Sequence, residues 1–247
     1  MAALRSLELL GEDPYLSTQV TNVGIVDNFL NELEQAALVE EFEDKPDRTR
    51  LFFLSAQTQM WIFALYELLR TWRQRALEAV KLAKNGGFDL KIAHLKKDMG
   101  FTHHARLARA ASLERLKASP ERLAQLQLDL RATHLAFRRL EAIRISIAKH
   151  EESGRPNAPA YSPGYGRLDT FTGSLKYEIS VGGAILDYVS RRDIADSIRV
   201  IDRIDPQSDE ELAEFDDFMK GAEMPRFDRP QGAGKDGDDV EDSDPAA

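Results

Sequence analysis

Arg144 and His150 stand six positions apart in the segment RISIAKH. A histidine can carry a proton and an arginine can neutralise developing negative charge, so the pair holds the parts for metal-free cleavage of a phosphodiester. In a straight helix this spacing sets the two side chains about 120° apart. A plainer use is also open: a surface Arg and a His near the C-terminal end of a helix dipole. The remaining histidines are His94, His103, His104 and His134. His103 and His104 are adjacent and face different sides of a helix. The chain has no HExxH and no compact His/carboxylate set, so neither a metal nor another cofactor is expected. His134 shares a stripe with Leu130 and Phe137, which predicts a partly buried, hydrogen-bonded ring. Glu67, in FALYELLR, is a tuned acid or base or the partner of Arg70 three residues on. Gln57, Thr58 and Gln59 form either a buried polar layer or the wall of a pocket. No glycine-rich phosphate loop, nucleophile elbow or Ser/His/Asp signature is visible. With no cysteine, the chain excludes disulfides, thiolate metal sites and a cysteine nucleophile.

The Arg144–His150 spacing resembles the motif of HEPN ribonucleases. That resemblance implies a helical bundle and a metal-independent endoribonuclease, with Arg144 and His150 as catalytic residues brought together across a homodimer. Ile145 follows the arginine where that family favours a polar residue. A second segment, VSRRDIADSIRVI at 189–201, resembles the first helix of the helix-turn-helix in cyclic-AMP-receptor-type regulators. The next residues, IDRIDPQSDEE, are acidic and interrupted by proline. Phosphate would repel such a segment, so sequence-specific DNA reading is not expected.

Charge is sorted along the chain. Residues 1–69 carry 4 Lys/Arg and 12 Asp/Glu, and residues 70–150 carry 18 and 7. Residues 151–203 are near balance at 7 and 8, whereas 204–247 carry 4 and 15. The net charge of −9 therefore hides a basic middle. Arg106, Arg109, Arg115, Lys117, Arg122, Arg131, Arg138 and Arg139 form a candidate helical face, residues 103–139, for RNA or another polyanion, or for a protein partner. The alternative is a solvated face paired within the molecule to the acidic ends. Likewise, the run DGDDVEDSD at 236–244 is either a tethered nucleic-acid mimic or a solubilising terminus. The expectation is a non-catalytic, cytoplasmic interaction protein; a HEPN-like ribonuclease is the alternative. No secretory leader and no apolar run of about 20 residues is present, so no membrane partner is expected.

The expected fold is mainly α: a single helical domain over 1–203, then an acidic, mostly disordered tail over 204–247. A bundle of four to five helices, about 22–41, 48–84, 88–118 and 119–150, carries a small hairpin and a short helix. In the second helix Leu51, Leu54, Thr58, Trp61, Leu65, Leu68 and Trp72 form one stripe. The third is in two pieces, broken near Gly100. Ser119-Pro120 is an N-cap followed by proline at the first helical position. Residues 154–166 read as a loop. Leu175, Tyr177, Ile179 and Val181 alternate with polar residues, which predicts a strand and a hairpin over about 174–189 turning at Gly182-Gly183. Ser190 and Asp193 form a capping box for a helix over 191–203. One or two further helical turns are expected around 209–220.

Overall fold

Asp13 and Pro14 open the first helix, eight residues before the expected start. The Asp13 carboxylate accepts from the Tyr15 and Leu16 amides, and Pro14 occupies a position where an N–H would have no partner. In the computed structural model, α1 spans Pro14–Phe42 and α2 spans Arg48–Asn85. The structure describes residues 1–153, 155–160, 164–181, 184–203 and 205–221. Asp47 caps α2, and Gly86 ends it in the left-handed region with φ 67°. The predicted α2 stripe is the centre of the core: Leu54, Thr58, Trp61, Leu65, Leu68 and Trp72 are all buried.

Next come α3 (Phe88–Lys96) and α4 (His104–Ala118), joined through Gly100 as expected. The expected helix over 119–150 is two helices, α5 (Pro120–Ala132) and α6 (His134–Lys149). At the break Thr133 Oγ1 donates back to the Asp129 carbonyl at 2.8 Å, a local bond that competes with the helix ladder. From α2, Arg73 donates to the Leu130 carbonyl and to Thr133 Oγ1, both at 2.9 Å.

The chain then forms β1 (Glu151–Glu152), β2 (Arg155–Pro159), β3 (Arg167–Leu168), β4 (Leu175–Val181) and β5 (Ala184–Ser190). The stretch read as loop thus contains a strand: β1 and β2 pair antiparallel, Glu152 opposite Arg155. The predicted hairpin is the core of a three-stranded antiparallel sheet in the order β3-β4-β5. Its Gly182-Gly183 turn lies outside the described residues. Leu175, Tyr177, Ile179 and Val181 face the core as the alternation predicts. Glu178 and Ser180 are buried as well, in a strand that packs against both α6 and β1.

Ser190 and Asp193 form the predicted capping box and open α7 (Arg191–Arg199), shorter than the expected 191–203. A second capping box, Ser208 with Glu211, opens α8 (Asp209–Lys220). This last helix packs on α6, so folded structure continues past residue 203. The expected disorder of 222–247 falls outside the described residues. The fold is mainly α, as expected. Among the described residues no helix is long and apolar enough to cross a membrane.

A buried ionic network fixes α7 to the bundle. Arg191 is fully buried and donates to Glu34 Oε1 at 2.7 Å, to Glu34 Oε2 at 2.6 Å, to Asn31 Oδ1 at 2.7 Å and to Asp27. Arg192 reaches Glu34 at 2.5 Å, and Arg199 reaches Asp27. The Arg191 guanidinium also lies 5.4 Å from the Trp61 ring centroid. Burial raises the Glu34 carboxyl, but the hydrogen bonds and charge of Arg191, with help from Arg192, outweigh it and hold it below its ordinary value. The turn before β4 closes on the same helix: Gly173 has φ +71°, and a Cβ there would meet the Glu34 carbonyl oxygen at 2.0 Å. Only glycine fits both demands.

Candidate anion-binding surface

The basic middle occupies the second half of α2 and then α3 to α6, and most of its charge is answered from within the molecule. The key is the N-terminal segment. Leu4, Leu7 and Leu10 are buried and hold it on the bundle. Glu8 is gripped at three groups. Its amide donates to Asp129 Oδ2 at 2.7 Å, and its carbonyl accepts from Trp72 Nε1 at 2.7 Å. Its carboxylate takes Arg122 at 2.8 Å. Glu12, a turn further on, takes Arg122 as well and Arg115 at 2.8 Å. Burial raises the Glu12 carboxyl, yet Arg115 and Arg122 bring it below its usual value. Asp129 shifts the other way: burial raises it, against the hydrogen bonds from Glu8 and Gln125.

The other candidate residues follow the same pattern. Arg109 pairs with Glu78 of α2, Lys117 with Asp89 at 2.5 Å, and Arg131 with Asp209 of α8 at 2.7 Å. Arg138 bridges Glu141 at 2.5 Å and Asp216 at 3.1 Å. Arg139 lies 3.8 Å from Asp187 and over the Phe215 ring. Arg106 differs, donating to the His94 carbonyl rather than to a carboxylate. Exposed pairs of this kind each contribute about 0–1 kcal/mol. Their larger effect is on the field: an incoming polyanion meets arginines that already have partners.

His134 shows how α8 is held. Arg73 is always a donor, so its 3.3 Å contact fixes His134 Nδ1 as the acceptor. The proton is therefore on Nε2, which donates to Asp216 at 2.9 Å. Burial pushes Arg73 down to about 10, which leaves it charged at neutral pH. The Asp216 carboxyl, raised by burial, is held low on balance by His134 and Arg138. His134 is the hydrogen-bonded, partly buried ring that the sequence predicts. Glu67 pairs with Arg70 at 2.6 Å. Thr58 is buried, Gln57 lines a groove between α1 and α2, and Gln59 donates to the Gly164 carbonyl at 3.4 Å.

Arg144 lies in the second half of α6 and His150 caps its C-terminus. The Arg144 guanidinium sits 5.0 Å from the Tyr66 ring centroid and makes no ion pair with any described carboxylate. His150 is exposed and ends the helix in the left-handed region with φ 57°. Among the described residues no group of three or more His, Asp or Glu side chains gathers as a metal site.

Further open cations lie in the earlier part of the basic segment. Residues 81–109 contain seven Lys/Arg and two Asp. Lys81, Lys84 and Lys97 make no ion pair with any described residue. Lys96 meets Glu114 at 2.5 Å, and Lys91 meets Glu78 at 2.6 Å. Between α3 and α4 the turn 97–103 forms a groove of about 400 Å³. Met99 and Phe101 stand on it, 52% and 66% exposed. The sequence reading centred the surface on 103–139. The signal for this earlier stretch was available in the run of lysines from 81 to 97 and the two acids that accompany them. Comparison of the chain with protein families, curated proteins and solved structures finds no match.

Proposed function

We propose that this is a non-catalytic helical interaction protein that takes a polyanion at the open cationic end formed by the close of α2, α3 and the start of α4. The carrying observation is the contrast in pairing. The arginines of α4 to α6 are mostly matched by the chain's own carboxylates, whereas Lys81, Lys84 and Lys97 are not. Arg106, at the start of the 103–139 face, joins this end. Single-stranded RNA is the probe of choice, because each phosphate neutralised adds about −0.7 to the slope of log affinity against log salt. Fluorescence anisotropy should show binding that weakens steeply with salt. The triple variant Lys81→Glu, Lys84→Glu, Lys97→Glu should lose at least about 2 from that slope. Absence of binding by the wild-type chain at low salt, or an unchanged slope in the variant, refutes the reading.

The second reading is the HEPN-like ribonuclease. It is favoured by an Arg144 guanidinium with no ion pair among the described residues and by the exposed His150 at the end of the same helix. It requires RNA cleavage that survives chelator and falls by about 10²-fold or more in His150→Ala, the scale of a lost general acid or base. Equal cleavage by variant and wild type removes it.

A further inference from the structure

We infer that the groove at the α3–α4 turn is the docking site of the chain's own acidic segment, residues 236–244. The inference rests on the reading above, in which this end of the molecule takes an anion. Three observations carry it.

The first is charge. The groove is rimmed by Lys97 and Arg106, which have no carboxylate partner among the described residues, and by Lys96, which also meets Glu114. Its one acidic lining residue is Asp98, which accepts from the Gly100 amide at 2.8 Å, so the lining keeps an excess of positive charge. The segment DGDDVEDSD has six carboxylates in nine residues and no Lys or Arg. Opposite charge of this density steers encounter and holds the partner loosely enough to be displaced.

The second is the mixed character of the site. Met99, Phe101 and Leu107 are exposed among the cations. A purely ionic surface has no use for them, since apolar side chains in water gain nothing until covered. Val240 lies at the centre of the acidic run. It supplies an aliphatic group between carboxylates, which suits an apolar floor with a basic rim.

The third is reach and tethering. Gly221 ends the described structure, and Asp236 follows fifteen positions later. Fifteen residues extend to about 50 Å at most. The tether limits the segment to contacts within that distance of Gly221. As part of the same chain it acts at an effective concentration set by the linker rather than by protein concentration. A polyanion reaching this end competes with it, and the tail sets a threshold for binding.

The full chain tests this directly. Zero-length carboxyl–amine cross-linking at low salt should join residues 236–244 to Lys96 or Lys97. The yield should not depend on protein concentration, and it should disappear at high salt. In parallel, the full-length variant D236N/D238N/D239N/E241Q/D242N/D244N should bind single-stranded RNA at least fivefold more tightly than wild type. Cross-links that avoid the α3–α4 turn, or that rise with protein concentration as contact with a second copy would, overturn the inference. So does an unchanged RNA affinity in the neutralised variant, while RNA binding itself would stand. If neither protein binds RNA, the proposed function fails, and the cross-links still decide whether the tail occupies the groove.

Discussion

Arg191→Ala loses about 3–5 kcal/mol of unfolding free energy, because removing one partner of a buried ion pair leaves the other charge uncompensated. Arg191 is fully buried, and so are the carboxylates of Asp27 and Glu34 that it joins. Arg192 makes a useful control. It touches the same Glu34 from a half-open position, and Arg192→Ala should cost about 1 kcal/mol or less. The sign of the pH dependence is a second check. In the wild type the folded Glu34 carboxyl lies below its ordinary value of 4.5. Its contribution is therefore complete above that value and is lost as pH falls through the lowered one. In Arg191→Ala Glu34 loses the largest of the groups that lower it and keeps Ser174 and Arg192, so the carboxyl moves up from its wild-type position. The variant then has less stability to lose as pH falls, and the gap to wild type narrows. Denaturant unfolding at several pH values measures this. A loss under about 1 kcal/mol at neutral pH would mean that α7 is held by its apolar face alone.

Trp72→Ala is expected to lose a similar amount, about 3–5 kcal/mol, for a different reason. The ring is fully buried at the centre of α2, and its Nε1 holds the Glu8 carbonyl. Truncation opens a cavity and strips a partner from the N-terminal segment. That segment carries Glu8 and Glu12, which neutralise Arg122 and Arg115. A loosened segment frees two arginines, so the salt slope of RNA binding should steepen by about 1. Trp72→Phe keeps most of the ring but not the hydrogen bond, and should cost about 1–2 kcal/mol. Stability is read by denaturant unfolding and the slope by anisotropy. Loss of stability without any change of slope would separate the segment's packing role from its electrostatic one.

Local signals in the chain marked many element ends correctly. Ser119-Pro120 opens α5, Ser190 with Asp193 opens α7, Gly86 closes α2, and Gly100 lies in the turn between α3 and α4. Each works because a cap or breaker acts on backbone groups within three or four residues of itself, which the sequence displays in full. The α2 stripe and the β4 alternation are legible for the same reason: period decides which face turns inward. The burial of Glu178 could not be seen this way, because it depends on which elements pack around β4, among them α6 and β1.

By itself, the sequence determined a mainly helical chain, its helix caps, its core stripe and the separation of charge between its middle and its ends. Only the tertiary structure decided how that charge is used. Arg115 finds Glu12 across 103 positions, and Arg191 finds Glu34 across 157. Arg73, from α2, reaches the junction of α5 and α6 at the Leu130 carbonyl across 57 positions. Ion pairs and borrowed backbone acceptors are short-ranged in space and indifferent to distance along the chain. Composition can reveal a basic segment, but only the packed helices show that its arginines are largely matched and that Lys81, Lys84 and Lys97 are among the cations left open.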